Sequence, residues 1–171
     1  MRSMCSSRLM RHVSTINLCR NIFDLATLCD VIRQSKSLTR LVMFSVALDG
    51  KSAVAIADAI AQSKSLTAIA MGCNYIGDVG AFSIAEAIKQ STSLVSVNVC
   101  KNQIGIRGAS AIAEAIKQSE SLTAVDLSSN RISAASATAI TEAVKKSKPM
   151  VRIEWESIEY RCRQLSTNAL E

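Results

Sequence analysis

Residues 121–132 read SLTAVDLSSNRI. Val125 and Leu127 are apolar at a spacing of two, the period of a strand with one face buried. The segment then breaks at Ser-Ser-Asn, a cluster of turn formers. Beyond it the period changes. Ala137, Ile140, Thr141 and Val144 step as i, i+3, i+4, i+7, one face of an α-helix. The stretch therefore predicts strand, turn and helix, with the strand part written L-x-x-V-x-L-x-x-N-x-I.

The same order recurs upstream. Leu94, Val97, Val99, Asn102 and Ile104 fit the template, as do Leu66, Ile69, Met71, Asn74 and Ile76. A Ser-Leu pair opens these units at residues 37, 65, 93 and 121, and Pro149-Met150 continues the 28-residue step. Leu38, Leu41, Met43 and Leu48 form a further unit in which Val46 replaces the Asn. An earlier unit, Val13, Ile16, Leu18, Asn21 and Phe23, is three residues shorter. A final one, Met150, Ile153, Trp155, Ile158 and Tyr160, has Ile158 in the Asn position.

Helical faces follow the strands at Ala81, Ile84, Ala85 and Ile88, and at Ala109, Ile112, Ala113 and Ile116. Glu86/Lys89, Glu114/Lys117 and Glu142/Lys145 are placed for i, i+3 pairing on the outer face. Gly77, Gly80, Gly105 and Gly108 mark the turns into the helices. A thin strand–helix unit cannot bury its apolar face alone, whereas stacked copies can. The expected architecture has about six parallel strands and five stacked helices. Asn74, Asn102 and Asn130 are expected to form a ladder, their amides satisfying backbone groups of the turns.

Composition agrees with repetition. Of 171 residues, 49% are hydrophobic but only 4% aromatic, so the interior must be built from many small aliphatic groups. One Pro and six Gly exclude collagen-like and disordered compositions. No run approaches the roughly 18 apolar residues of a membrane-spanning helix. The net charge of +6 is uneven: +5 over residues 1–40, −1 over 41–144 and +2 over 145–171. Nucleic-acid binding needs a continuous basic stripe, so it is not expected through the repeats, only through the basic termini within an assembly.

Catalytic signatures are missing. The single His, His12, has no carboxylate within ten residues. The sequence has no G-x-S-x-G elbow, phosphate-binding loop or H-E-x-x-H motif. The chain is read as a non-enzyme without cofactor or metal. The six cysteines form no C-x-x-C pair and read as reduced thiols of an intracellular protein. Residues 1–12, MRSMCSSRLMRH, hold three Arg, three Ser and no acid, and read as a basic arm or cap. Their composition also suits a mitochondrial transit segment. The expectation is a cytoplasmic protein, with an organelle as the alternative. Residues 13–149 form the repeat region, and 150–171 a degraded last repeat and cap.

The strand template, the 28-residue period and the run I-G-x-x-G-A-x-x-I-A-E-A-I-K at residues 76–89 and 104–117 resemble the leucine-rich repeats of the ribonuclease-inhibitor-like class. That class includes the sensor regions of NOD-like receptors, tropomodulin-type proteins and the Ran GTPase-activating protein. The resemblance implies an α/β solenoid, a horseshoe with parallel strands on the concave face and helices on the convex face. It also implies a non-catalytic protein-protein interaction module that binds through its concave face or ends. The alternative is a structural subunit of a large assembly, such as an organellar ribosome, respiratory complex or axoneme. A GTPase-activator-like regulator is the third reading, without the acidic tail of that relative.

On such a horseshoe the strand residues between core positions face the groove. Arg40, Val42, Phe44, Asn98, Lys101, Asp126, Glu154 and Glu156 are the candidate protein-binding residues. Val42 and Phe44 are expected as exposed apolar anchors, or else as residues covered by the N-terminal arm. Glu154 and Glu156 share one strand face and read as solvated carboxylates that blunt the sheet edge. Cys73 and Cys100 lie close enough in the repeat for a disulfide, but their side chains are expected to diverge.

Overall fold

The computed structural model of the chain describes residues 13–19 and 23–155. The expectations for residues 1–12, Asn21, Glu156, Ile158, Tyr160 and the C-terminal cap lie outside those residues. The elements alternate without exception: β1 (Thr15–Asn17), α1 (Leu25–Gln34), β2 (Arg40–Val42), α2 (Gly50–Gln62), β3 (Ala68–Ala70), α3 (Gly77–Gln90), β4 (Ser96–Asn98), α4 (Ile106–Gln118), β5 (Ala124–Asp126), α5 (Ala134–Lys145) and β6 (Arg152–Glu154). All six strands are parallel and lie in chain order in one sheet. This is the expected solenoid, with six strands and five helices among the described residues.

Register follows the template. Ile16, Leu41, Ile69, Val97, Val125 and Ile153 are successive partners across the sheet. The first step is 25 residues and each later one 28, so the shortened first unit sits in line with the rest. Because the strand period is two, this row points inward and its neighbours point into the groove. The inward row packs on helix residues of two equivalent rows. Ile56, Ile84 and Ile112 form one and Ile60, Ile88 and Ile116 the other, all essentially buried. Deleting such an Ile side chain to Ala costs about 2–5 kcal/mol through lost burial and the cavity left behind.

The Asn ladder is present. Asn74 Oδ1 accepts from the backbone N–H groups of Val46 and Leu48 at 3.0 and 3.1 Å, while its Nδ2 donates to the Met43 carbonyl at 2.8 Å. Asn130 does the same for Asn102 and Ile104, at 2.9 and 3.0 Å, and donates to the Val99 carbonyl. Each Asn thus closes the turn of the unit before it. Asn74 serves the unit whose own Asn is replaced by Val46.

Two serine rows add to this ladder. Ser35, Ser63, Ser91 and Ser119 end α1 to α4, and their hydroxyls accept from the N–H of Leu38, Leu66, Leu94 and Leu122. The Ser of the Ser-Leu pair, which serves only as a register mark in the sequence, bonds to the unit before it. Ser65, Ser93 and Ser121 donate to the carbonyls of Leu38, Leu66 and Leu94 at 2.8, 2.9 and 2.8 Å.

Helix starts differ from unit to unit. Asp24, Asp49 and Ser133 cap their own helices α1, α2 and α5. The start of α4 has no side-chain cap of its own. Asp78, in the first turn of α3, supplies it across the helix gap. Its Oδ1 accepts from the N–H groups of Gly105 and Gly108 at 2.7 and 3.0 Å. That contact explains Gly108: a Cβ there would sit 2.6 Å from the Asp78 carboxylate and 2.8 Å from Ala81 Cβ.

Candidate protein-binding face

Short strands present two groove-facing rows. Arg40, Ala68, Ser96, Ala124 and Arg152 form one, and Asn17, Val42, Ala70, Asn98, Asp126 and Glu154 the other. From β2 to β6 these rows line a shallow groove of about 420 Å³, which Asn17 on β1 does not reach. Its floor is small and flat, because Ala68, Ala70, Ser96 and Ala124 carry little beyond Cβ. Its charged groups sit at the two ends, Arg40 at one and Asp126, Arg152 and Glu154 at the other, with Asn98 between them.

Asn98 and Asp126 are held in place by each other across two units and by their own turns. Asn98 Nδ2 donates to Asp126 Oδ2 at 2.8 Å, and Asn98 Oδ1 accepts from the Cys100 N–H at 3.1 Å. The other Asp126 oxygen accepts from the Ser128 N–H at 2.9 Å. Both Asp126 oxygens are thus engaged in anchoring the chain, which suits a positioned recognition group better than a free base. Glu154 pairs with Arg152 on its own strand. Arg40 is exposed and forms no ion pair among the described residues.

Two candidates are not where the sequence reading put them. Val42 and Phe44 are not exposed anchors, since each is only 5% accessible. They form a small satellite core with Cys100, and Cys19, Ala70 and Cys73 pack against it. The physical reason is Gly72. With no side chain at that position, the Phe44 ring lies across it, and a Cβ on Gly72 would collide with Phe44 Cε1 and sit 2.7 Å from Cys100 Sγ. Lys101 is exposed but stands in the turn beyond β4, with φ 52°, in line with Ser45, Cys73 and Ser129 at the same point of their units. Glu156 lies outside the described residues.

The sequence reading missed the hydrogen-bonded Asn98–Asp126 pair as a unit. The 28-residue step places the two on the same row, and that signal was available. Cys19 and Cys29 are free thiols, Cys19 half-buried and Cys29 buried. Burial raises the Cys29 thiol pKa above its ordinary value. No cluster of His, Cys, Asp and Glu suited to a metal ion occurs among the described residues. No described helix is long and apolar enough to cross a membrane.

A second hollow, of about 540 Å³, opens at the C-terminal end between α5 and β6. Leu127, Ile132, Ala137, Thr141 and Trp155 are among its lining residues.

A family model described as "Leucine Rich repeat" matches residues 62–85, 90–113 and 118–140. Among solved structures, leiomodin-1 actin-binding site 2 superposes with a TM-score of 0.70 at 17% identity, covering 87% of this chain and 88% of that one. The C-terminal domain of Caenorhabditis elegans tropomodulin superposes with a TM-score of 0.68 at 16% identity, covering 86% and 92%. No curated protein sequence matches. These likenesses establish the fold: consecutive leucine-rich repeats wound into a solenoid.

Proposed function

With a leucine-rich-repeat solenoid as the premise, we propose that the protein is a non-catalytic, cytoplasmic protein-binding module that takes its partner in the concave groove. The observation that carries this reading is the groove itself. Its floor is made of small side chains, and at its centre Asn98 and Asp126 are fixed before any partner arrives, by one bond between repeats and by bonds to the backbone two residues on. Preorganised polar groups lower the ordering cost of association. Arg40 stands at one end without an ion pair among the described residues, and Asp126 with the Arg152–Glu154 pair stands at the other, which makes the two ends of the groove different. A charge difference of this kind fixes the register of a partner more than it adds affinity.

The name of the leiomodin neighbour includes an actin-binding site, which makes actin the first partner to try. The experiment is co-sedimentation with filamentous actin and affinity capture from extract, each with wild type and an Arg40→Glu/Ser96→Arg variant. Both residues face the groove, and neither belongs to the buried core. We expect a stoichiometric protein partner whose recovery falls at least tenfold with the variant. Equal recovery by both proteins rules out the groove as the binding face. Turnover of a substrate that disappears on Glu154→Gln overturns the non-catalytic reading.

A further inference from the structure

The groove does not carry the largest exposed apolar side chains. Exposed apolar side chains lie elsewhere, and three of them, Val54, Val79 and Phe82, at 41%, 63% and 48% accessibility, stand on adjacent helices. Val79 and Phe82 are i, i+3 neighbours on α3. Val54 is the residue of α2 that corresponds to Phe82 one 28-residue unit earlier. The two helices touch here, since a Cβ on Gly50 would lie 3.4 Å from Val79 Cβ, and Gly50 is one turn before Val54. The three side chains therefore form one patch.

The repeat places charge around this patch in an ordered way. Lys51, Val79 and Arg107 occupy one equivalent position on α2, α3 and α4. Val54, Phe82 and Ser110 occupy the position three residues later. Asp58, Glu86 and Glu114 occupy the position four residues beyond that. All nine side chains are exposed. Steps of three and four residues keep the rows on one stripe of each helix, about 4.5 and 6 Å apart along the axis. The apolar row thus runs between a row with two basic residues and a row with three acidic ones.

We infer that this face is a two-fold interface and that its occupant is a second copy of this chain. Let a two-fold axis lie in the contact plane along the Val54–Phe82–Ser110 row. It brings like helices together antiparallel and places the first row of one copy over the third row of the other. Phe82 then meets Phe82 of the second copy, and Val54 meets Val54. Lys51 faces Asp58 of the second copy, and Arg107 faces its Glu114. Val79 covers the stem of its Glu86. A parallel arrangement would instead oppose Lys51 to Arg107, so charge selects the antiparallel one.

The acidic groups already have partners within the chain. Asp58 pairs with Arg33 at 2.8 Å, Glu86 with Lys89 at 2.6 Å and Glu114 with Lys117 at 3.1 Å. Their side chains nevertheless stay 53–60% exposed, and a carboxylate has lone pairs to accept from a second cation. The contact is isologous, so it closes at two copies and does not propagate. It lies on the helical layer and is independent of the groove reading.

Sedimentation velocity over a concentration series tests it, with circular dichroism as the folding control. Wild type should associate reversibly to a dimer, more weakly as salt is raised. Phe82→Asp should leave only monomer. Arg107→Asp should weaken the dimer about tenfold, and Arg107→Asp combined with Glu114→Arg should restore it. The groove variant Arg40→Glu/Ser96→Arg should dimerise like wild type. A wild type that stays monomeric up to about 1 mM overturns the proposal. So does a dimer indifferent to Phe82→Asp, or a charge loss that the double reversal fails to recover.

Discussion

Asn102 shows how one residue ties together three units. It is fully buried. Its amide nitrogen donates to Met71 O at 2.8 Å and Cys100 O at 2.9 Å, and its own N–H donates to Asn130 Oδ1. Replacing it with Ala removes both of these buried bonds and the Oδ1 acceptor of the Ile76 N–H, while Met71 O and Cys100 O each keep one donor, Asn74 Nδ2 and the Cys73 N–H. The cost is mainly the lost bonds and a buried Ile76 N–H left without its partner. Asn102→Ala should therefore lower the unfolding free energy by about 2–4 kcal/mol in a urea titration, with the slope unchanged. A loss below about 1 kcal/mol would mean that water replaces the amide and that the ladder is not a stabilising element. This role was legible in the sequence because it depends on spacing alone. The place of Phe44 was not. Its burial depends on a glycine 28 residues away that leaves room for a ring, and a missing side chain looks the same whether a neighbour fills its space or solvent does.

At the scale of the helix, sequence periodicity located α3, α4 and α5, and the repeat implied α1 and α2, but neither showed how each begins. The strand-to-helix switch of period is a local property, so Ile84, Ile88, Ile112 and Ile116 announced their faces. The cap of α4 is not local. Asp78 lies 27 and 30 residues before the N–H groups it accepts from, and only stacking brings them together. Asp49 is the local kind. Its carboxylate pKa is held below the ordinary value, first by the Ser52 hydroxyl and then by the Ser52 N–H at the start of α2. A lowered folded-state pKa means that the ionised form stabilises the fold. That contribution is fully present above the unfolded value of about 3.9 and is lost as pH falls through the lower folded value. Asp49→Asn keeps the capping geometry and removes the charge that favours a helix N-terminus. The gap in urea midpoint between wild type and Asp49→Asn should be widest near neutral pH and should close on acidification. A gap that persists or grows in acid would show that the charge is not what the cap contributes.

For the molecule as a whole, the governing fact is that each unit is stabilised by its neighbours, so the ends differ from the middle. Equivalent positions show the gradient. Ile76 and Ile104 are 1% and 0% accessible, whereas Ile132, one unit further on, is only half-buried beside the hollow at the C-terminal end. Ile84 and Ile112 are at 1% and 0%, and Ile140 is at 8%. In a linear array the stability of a unit is its own contribution plus those of its contacts on either side, so a unit that shares less surface opens at lower free energy. The single Trp reports on this end. The Trp155 indole N–H donates to Thr141 Oγ1 at 2.7 Å, joining the end of β6 to α5. Loss of that contact exposes the ring to water, whereas far-UV circular dichroism follows all five helices. In urea, Trp155 fluorescence should therefore shift at a lower midpoint than the dichroism. A substitution in the interior core, Ile84→Val, should move the dichroism midpoint more than the fluorescence midpoint, because it acts on contacts that persist after the end has opened. If the two transitions coincide and move together, the array unfolds as one cooperative body, and the graded burial of Ile104, Ile132 and Ile140 has no counterpart in local stability.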